Sequence, residues 1–221
     1  MAIKDFPSTV KINAADWSIE SRTQQFTSEL NGVVQTVALP GDRWAGVLTF
    51  SNKTGAEARA LIAFLVSLRG RSGRFRIRPP RVDRTGSATS GGTVTAINAD
   101  GTVTVSGVVS PVPTCDSTLF TADYDGVTVD AATVAPVAFA AGDYIEINGE
   151  LKMVTEDVDA VSGVAVIPVA PTPRSAATGT DVTISNPTAV MALADDDQAR
   201  WSTSPLPIYA MSVAVVEATD I

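Results

Sequence analysis

Histidine is absent from the 221 residues, and cysteine occurs once, at Cys115. The first absence removes the commonest general base and the commonest metal ligand. The second rules out an intrachain disulfide, a thiolate zinc site and Cys-His nucleophilic chemistry. Catalysis would have to rest on paired carboxylates, a Ser-Lys pair or an oxygen-ligated metal, so no enzyme and no cofactor are expected. Aromatic residues are only 6% of the chain, and in so small a set Trp17, Trp44 and Trp201 read as core anchors before they read as a sugar-stacking surface. No apolar run approaches the ~20 residues that cross a bilayer, and residues 1–7 hold no apolar stretch of the signal-peptide kind. The expectation is a chain made and folded in a reducing cytosol, with no membrane partner.

Charge is low at 18% and very unevenly spread. Residues 1–84 carry 13 Lys/Arg against 7 Asp/Glu, a net +6, while residues 85–221 carry 3 against 17, a net −14. Seven of the 16 basic residues fall between Arg69 and Arg84. A basic cluster beside an acidic remainder suggests two surfaces with different partners, or one that docks onto the other in a neighbouring copy.

Residues 54–69 form the one clear helical segment. Thr54-Gly55-Ala56-Glu57 has capping-box spacing. Ala58, Leu61, Ile62, Leu65 and Leu68 make one apolar face, and Gly70 supplies a left-handed stop. Before the helix, residues 33–39 and 44–50 have strand composition, and the short Pro40-Gly41-Asp42 connection predicts a hairpin between them. After it, Arg74-Phe75-Arg76-Ile77-Arg78 alternates strictly, which buries Phe75 and Ile77 and sets the arginines on the other face. Residues 85–92 read as a Gly/Ser/Thr linker. Short β-branched strands then follow at sandwich or barrel spacing, with hairpins at Asp100-Gly101 and Asn148-Gly149, a weak strand at 127–129 and a loop over 168–179. The final strand, 208–216, has no hairpin partner nearby and is expected to return to the first sheet. The predicted fold is mainly β. Residues 1–84 together with 194–221 form a β-sandwich domain with one α-helix, and 85–193 form an inserted all-β, sandwich- or barrel-like module.

No chemical constellation stands out. Asp195-Asp196-Asp197 diverge too much for a calcium loop and read as a solvated acidic turn. Asp123 and Asp125 lack the terminal glutamate of such a loop, and the glycines 70, 73, 86, 91 and 92 form no phosphate-binding pattern. Ser67, Ser72 and Ser106 have no visible His or Lys partner. The arginines Arg69, Arg71, Arg74, Arg76 and Arg78, continued by Arg81 and Arg84, carry no interleaved aromatic except the buried-face Phe75. A subunit interface, with Asp195, Asp196 and Asp197 as its acidic counterpart, fits them better than nucleic acid. A plain solvated face remains the alternative.

Two strings then resemble a known family. Gly41-Asp42-Arg43-Trp44-Ala45, Leu48-Thr49-Phe50, the helix and Leu68-Arg69-Gly70-Arg71-Ser72-Gly73-Arg74-Phe75 resemble the N-terminal belt domain of long-tailed bacteriophage distal tail proteins. Ala141-Gly142-Asp143-Tyr144-Ile145, Asn148-Gly149, Val154, Pro168, Pro173-Arg174, Asn186-Pro187 and Met191-Ala192-Leu193 resemble the β-module of such proteins. The resemblance implies a hexameric ring of copies between the tail tube protein and the tail-tip hub or fibre proteins. It further implies a virion location after assembly in the host cytoplasm, and DNA passing through the opening without specific binding. The family commonly places its peripheral domain after the belt domain, whereas here the module is inserted before the last strand. A second reading takes residues 85–193 as a carbohydrate-binding adhesion module, but that region has only Phe120, Tyr124, Phe139 and Tyr144 as aromatics and no tryptophan.

Overall fold

A computed structural model describes residues 2–79, 84–110, 137–174, 178–197, 202–203 and 208–218. The elements in the first part of the chain are β1 (Ile3–Asp5), β2 (Ala14–Thr27), β3 (Val34–Thr54), helix α1 (Gly55–Leu68), β4 (Arg74–Ile77), β5 (Thr93–Ile97) and β6 (Thr102–Ser106). Then come β7 (Tyr144–Ile147), β8 (Glu150–Val154), β9 (Val164–Ala170), β10 (Val182–Thr183), β11 (Ala189–Leu193), β12 (Ser202–Thr203) and β13 (Ile208–Glu217). The chain is mainly β, and its described strands form two sheets. The first runs β1-β4-β11-β13-β3-β2, with β12 added on β13, and only its β1–β4 pair is parallel.

The predicted hairpin between 33–39 and 44–50 does not form. Those residues are one continuous strand, β3, paired on one edge with β2 and on the other with β13. Pro40-Gly41-Asp42 is taken up as a bulge opposite Ser21, between the Glu20–Arg43 and Arg22–Leu39 pairs. Gly41 sits there at φ 125°, and the Asp42 carboxylate accepts the Arg22 N–H at 3.3 Å. A turn and a bulge draw on the same residues, and it is the strand alongside, 20 positions back, that decides between them.

Helix α1 forms because Ala58, Leu61, Leu65 and Leu68 fall at helical spacing; all four are buried, the three leucines against Phe50, Phe75, Met191 and their neighbours on the sheet. Each leucine side chain so buried contributes about 1.5–3 kcal/mol. The capping box is not made. Thr54 is the N-cap but its side chain bonds no helix N–H, and Glu57 instead faces Lys53 at 3.7 Å. The stop comes one residue earlier than expected, at Arg69 in the left-handed region (φ 55°). Gly70 (φ 71°) then starts a single 3-10 turn, Gly70–Ser72. Phe75 and Ile77 are buried as the alternation requires.

The second sheet runs β10-β7-β8-β9-β6-β5. A bridge between Thr93 and Asp181 brings its ends together, so it is a nearly closed barrel around Val103, Val105, Ile145, Ile147 and Ile167. Asn148 (φ 50°) and Gly149 (φ 79°) make the predicted two-residue turn between β7 and β8. Residues 85–92 are not a free linker. Ala88 is buried, and the Thr85 and Gly86 amides both donate to the Asp143 carboxylate at 2.8 Å. The loop expected from residue 168 begins later, since β9 extends to Ala170.

Strand β13 pairs with β3 over most of its length, and β11 lies between β4 and β13. Residues 189–193, placed in the inserted module by sequence, therefore belong to the first sheet, which moves the boundary at 193 back to the segment before β11. The strand expected at 127–129, together with Cys115, Asp123, Asp125, Arg81 and Trp201, lies outside the described residues.

Candidate subunit interface

Past the bulge, β2 and β3 leave the sheet as a two-stranded arm. Its register pairs Arg22 with Leu39, Gln24 with Val37 and Phe26 with Gln35, so Phe26, Val37 and Leu39 share one face of the ribbon. Its tip is closed by Ser28 N donating to the Val33 carbonyl and by the Asn31 side chain accepting the Val33 N–H. Both faces of the arm are open to solvent. Phe26 is 66% exposed, Val37 59% and Leu30, at the tip, 98%. At its base Arg43 donates to Glu20 at 2.7 Å, and this bond holds the Glu20 carboxyl below the usual range.

The arginine row divides. Arg69 is the helix cap, and Arg71 donates its backbone N–H to the Asp196 carboxylate at 2.8 Å, so the structure brings the acidic run against the start of the arginine segment within one chain. Asp196 is thereby engaged inside the monomer, and neither Asp195 nor Asp197 is without a partner. Arg74 folds back, its guanidinium donating to the Arg71 and Gly73 carbonyls. Only Arg76 and Arg78 stay exposed and opposite to the buried Phe75 and Ile77. They line an open cleft of about 980 Å³ between the N-terminal segment, the end of β4 and the barrel wall, together with Asp5, Lys11, Glu146 and Asn186. Glu146 is committed there, accepting both the backbone N–H and the hydroxyl of Thr188.

A cluster the sequence did not reveal joins the two sheets. Glu217, at the end of β13 with its side chain fully buried, accepts from the Arg174 guanidinium at 2.8 Å and from the Trp44 backbone N–H at 3.1 Å. Arg174 also donates to the Asp42 carbonyl at 2.8 Å, and its backbone N–H donates to Glu150. Glu150 pairs with Lys152 at 2.7 Å, and burial pushes the Lys152 amine below the usual lysine range against the pull of that carboxylate. The Trp44 indole N–H reaches across to the Leu151 carbonyl of β8 at 2.8 Å, and its ring lies 5.6 Å from that of Tyr144. Trp44 is thus the core anchor expected, and Trp17 packs edge-on against it. One sequence signal did point to this cluster. Lys152 and Arg174 are two of only three basic residues in the acidic half.

This arrangement positions and joins surfaces. Among the described residues no three His, Cys, Asp or Glu side chains converge as a metal site, and no helix is long and apolar enough to cross a membrane. Comparison with known protein families and with curated proteins gives no match to this chain.

Proposed function

We propose that this chain is a structural subunit that associates with copies of itself into a closed ring. By the resemblance of residues 41–80 and 141–193, that ring is a bacteriophage distal tail protein. In this reading it is hexameric, assembles in the host cytoplasm and seats between the tail tube protein and the tail-tip hub or fibre proteins. DNA passes through its opening without specific binding, and the role needs no catalysis, cofactor or membrane.

The arm supports the assembly. A two-stranded ribbon standing alone in water is marginal, and this one exposes Phe26, Leu30, Val33, Val34, Val37 and Leu39 on a single projection. Apolar surface concentrated in that way marks a contact with another chain. An arm seated on a second copy makes a contact between unlike surfaces, which repeats until a ring closes. The virion assignment rests on the resemblance alone.

The test is the solution mass of the purified chain by light scattering, with negative-stain imaging of the particles. Rings of one size are expected. Phe26→Ser with Val37→Ser changes two exposed side chains and so shifts stability by no more than about 0.5 kcal/mol, yet it should leave folded monomer. A wild-type chain that remains monomeric at its highest soluble concentration refutes the reading.

A further inference from the structure

We infer that the cleft lined by Lys11, Arg76 and Arg78 receives the acidic strand segment Asp157-Val158-Asp159 of a second copy of this chain. The inference rests on the self-assembly reading and names a contact separate from the arm.

Three observations carry it. Lys11, Arg76 and Arg78 are all exposed, all line the one cleft, and none has a hydrogen bond or ion pair through its side chain among the described residues. The other large basic side chains nearby are occupied: Arg74 by backbone carbonyls, and Arg84 by Asp143 and the Ala88 and Ala138 carbonyls. Cations left unpaired around a cleft, on a chain whose net charge is −8, call for carboxylates from outside.

The spacing then selects the segment. Arg76 lies in β4 and Arg78 one residue past its end, where the following Pro79 favours extended backbone, so their side chains leave on one side about 6.5–7 Å apart. On the barrel, Val158 is held extended by a two-way backbone bridge to Phe139, its N–H donating at 2.8 Å and its carbonyl accepting at 3.0 Å. Asp157 and Asp159 flank it, both exposed, and so present carboxylates at the same alternate-residue spacing. Asp157 uses one oxygen to accept the Ala141 N–H, which orients the group and leaves the second oxygen open. Asp159 has no side-chain partner among the described residues. Two guanidinium groups and two carboxylates in matching register can form parallel paired bonds, with Lys11 as a third cation at the cleft wall.

A nucleic-acid occupant fits less well. Three cations in a wall that also holds Asp5 and Glu146 suit two discrete carboxylates better than a continuous run of phosphates. Phe6, the aromatic there, is turned into the core against Phe50, Phe64 and Phe75 and offers no stacking face.

The experiment is a charge swap read by analytical ultracentrifugation. Arg76→Glu/Arg78→Glu alters only exposed side chains without partners among the described residues, so its thermal unfolding should match wild type. Asp157→Lys/Asp159→Lys also loses the exposed bond from the Ala141 N–H, so it should fold with a slightly lower Tm. Each variant alone should associate at least tenfold more weakly than wild type. An equimolar mixture of the two should recover wild-type association, because every acidic cleft then meets a basic segment and every basic cleft an acidic one. A variant that associates as wild type does, or a mixture that fails to recover, overturns the assignment while the ring reading stands on the arm variant. A wild-type chain that does not associate overturns both. If short oligonucleotides bind wild type and compete for the cleft while the mixture stays dissociated, the occupant is nucleic acid and the assignment falls.

Discussion

Replacing Arg174 with alanine tests the joint between the two sheets most directly. The Glu217 carboxylate is fully buried and has two donors, the Arg174 guanidinium at 2.8 Å and the Trp44 N–H at 3.1 Å. Arg174→Ala removes the charged donor and leaves a carboxylate in the core with one neutral amide. Breaking a buried pair in this way costs about 3–5 kcal/mol. The Arg174 side chain is itself 21% exposed, and water reaching the vacated space lowers the expected loss to about 3 kcal/mol. Glu217→Gln keeps an acceptor for Trp44 and removes the charge, so it should cost only about 1–2 kcal/mol. Arg174→Met with Glu217→Leu removes both charges and leaves the Trp44 N–H and the half-buried Asp42 carbonyl without these partners, at about 1–3 kcal/mol. The assay is urea denaturation followed by tryptophan emission, since Trp44 touches both sides of the joint. The decisive result is the order: Arg174→Ala must be the worst of the three. If it costs less than about 1 kcal/mol, in the range of an exposed pair, then Glu217 is solvated and the joint is not held as described.

Leu61→Ala or Leu65→Ala should cost about 2–5 kcal/mol through lost transfer energy and a cavity under α1, measured by the same denaturation. Glu57→Ala should cost about 1 kcal/mol, since it removes no cap but takes the half-exposed carboxylate from the buried Lys53 amine. Burial lowers the Lys152 amine, so the unfolded chain holds that proton more tightly than the folded one. Stability of wild type relative to Lys152→Met should therefore rise with pH from the lowered folded value up to about 10.4; a flat difference across alkaline pH would contradict the burial.

What was legible in the sequence was local. Asn148-Gly149 takes its two positive-φ positions without help from the rest of the chain, and the alternation around Phe75 and Ile77 needs only a sheet with one buried face. The apolar stripe of α1 is likewise a property of its own spacing. The misread features depend on distant partners. Pro40-Gly41 turns or bulges according to what lies beside it, and β2 supplies an unbroken strand there. The Gly-rich stretch 85–92 is ordered by Asp143, more than 50 positions on. Thr54 loses its capping role because Gly55 takes φ 52° and Lys53 claims Glu57. The joint was hidden most deeply, since Trp44 and Glu217 are separated by 173 positions. The arginine row was legible as a strand face, but the folding back of Arg74 and the engagement of Asp196 were not.

The joint and the proposed contacts bear on one another. If the cleft of one copy holds the barrel segment of the next, the rotation from copy to copy depends on how the barrel is fixed to the first sheet. A repeating contact closes into a ring of one size only when that rotation is constant. The cluster of Arg174, Glu217 and Trp44 on Leu151 and, apart from it, the Glu146 grip on Thr188 fix it at two places. A buried ion pair contributes little net stability over an apolar replacement, whereas its directional bonds admit one geometry where an apolar patch admits several. The two cations spent here, Lys152 and Arg174, are also the only described Lys or Arg residues in 85–197. Using them inside leaves the exposed barrel surface without a described basic side chain, which is the condition its acidic strand needs to meet a basic cleft. The same internal cluster thus sets both the geometry and the sign of the surface that assembly would use.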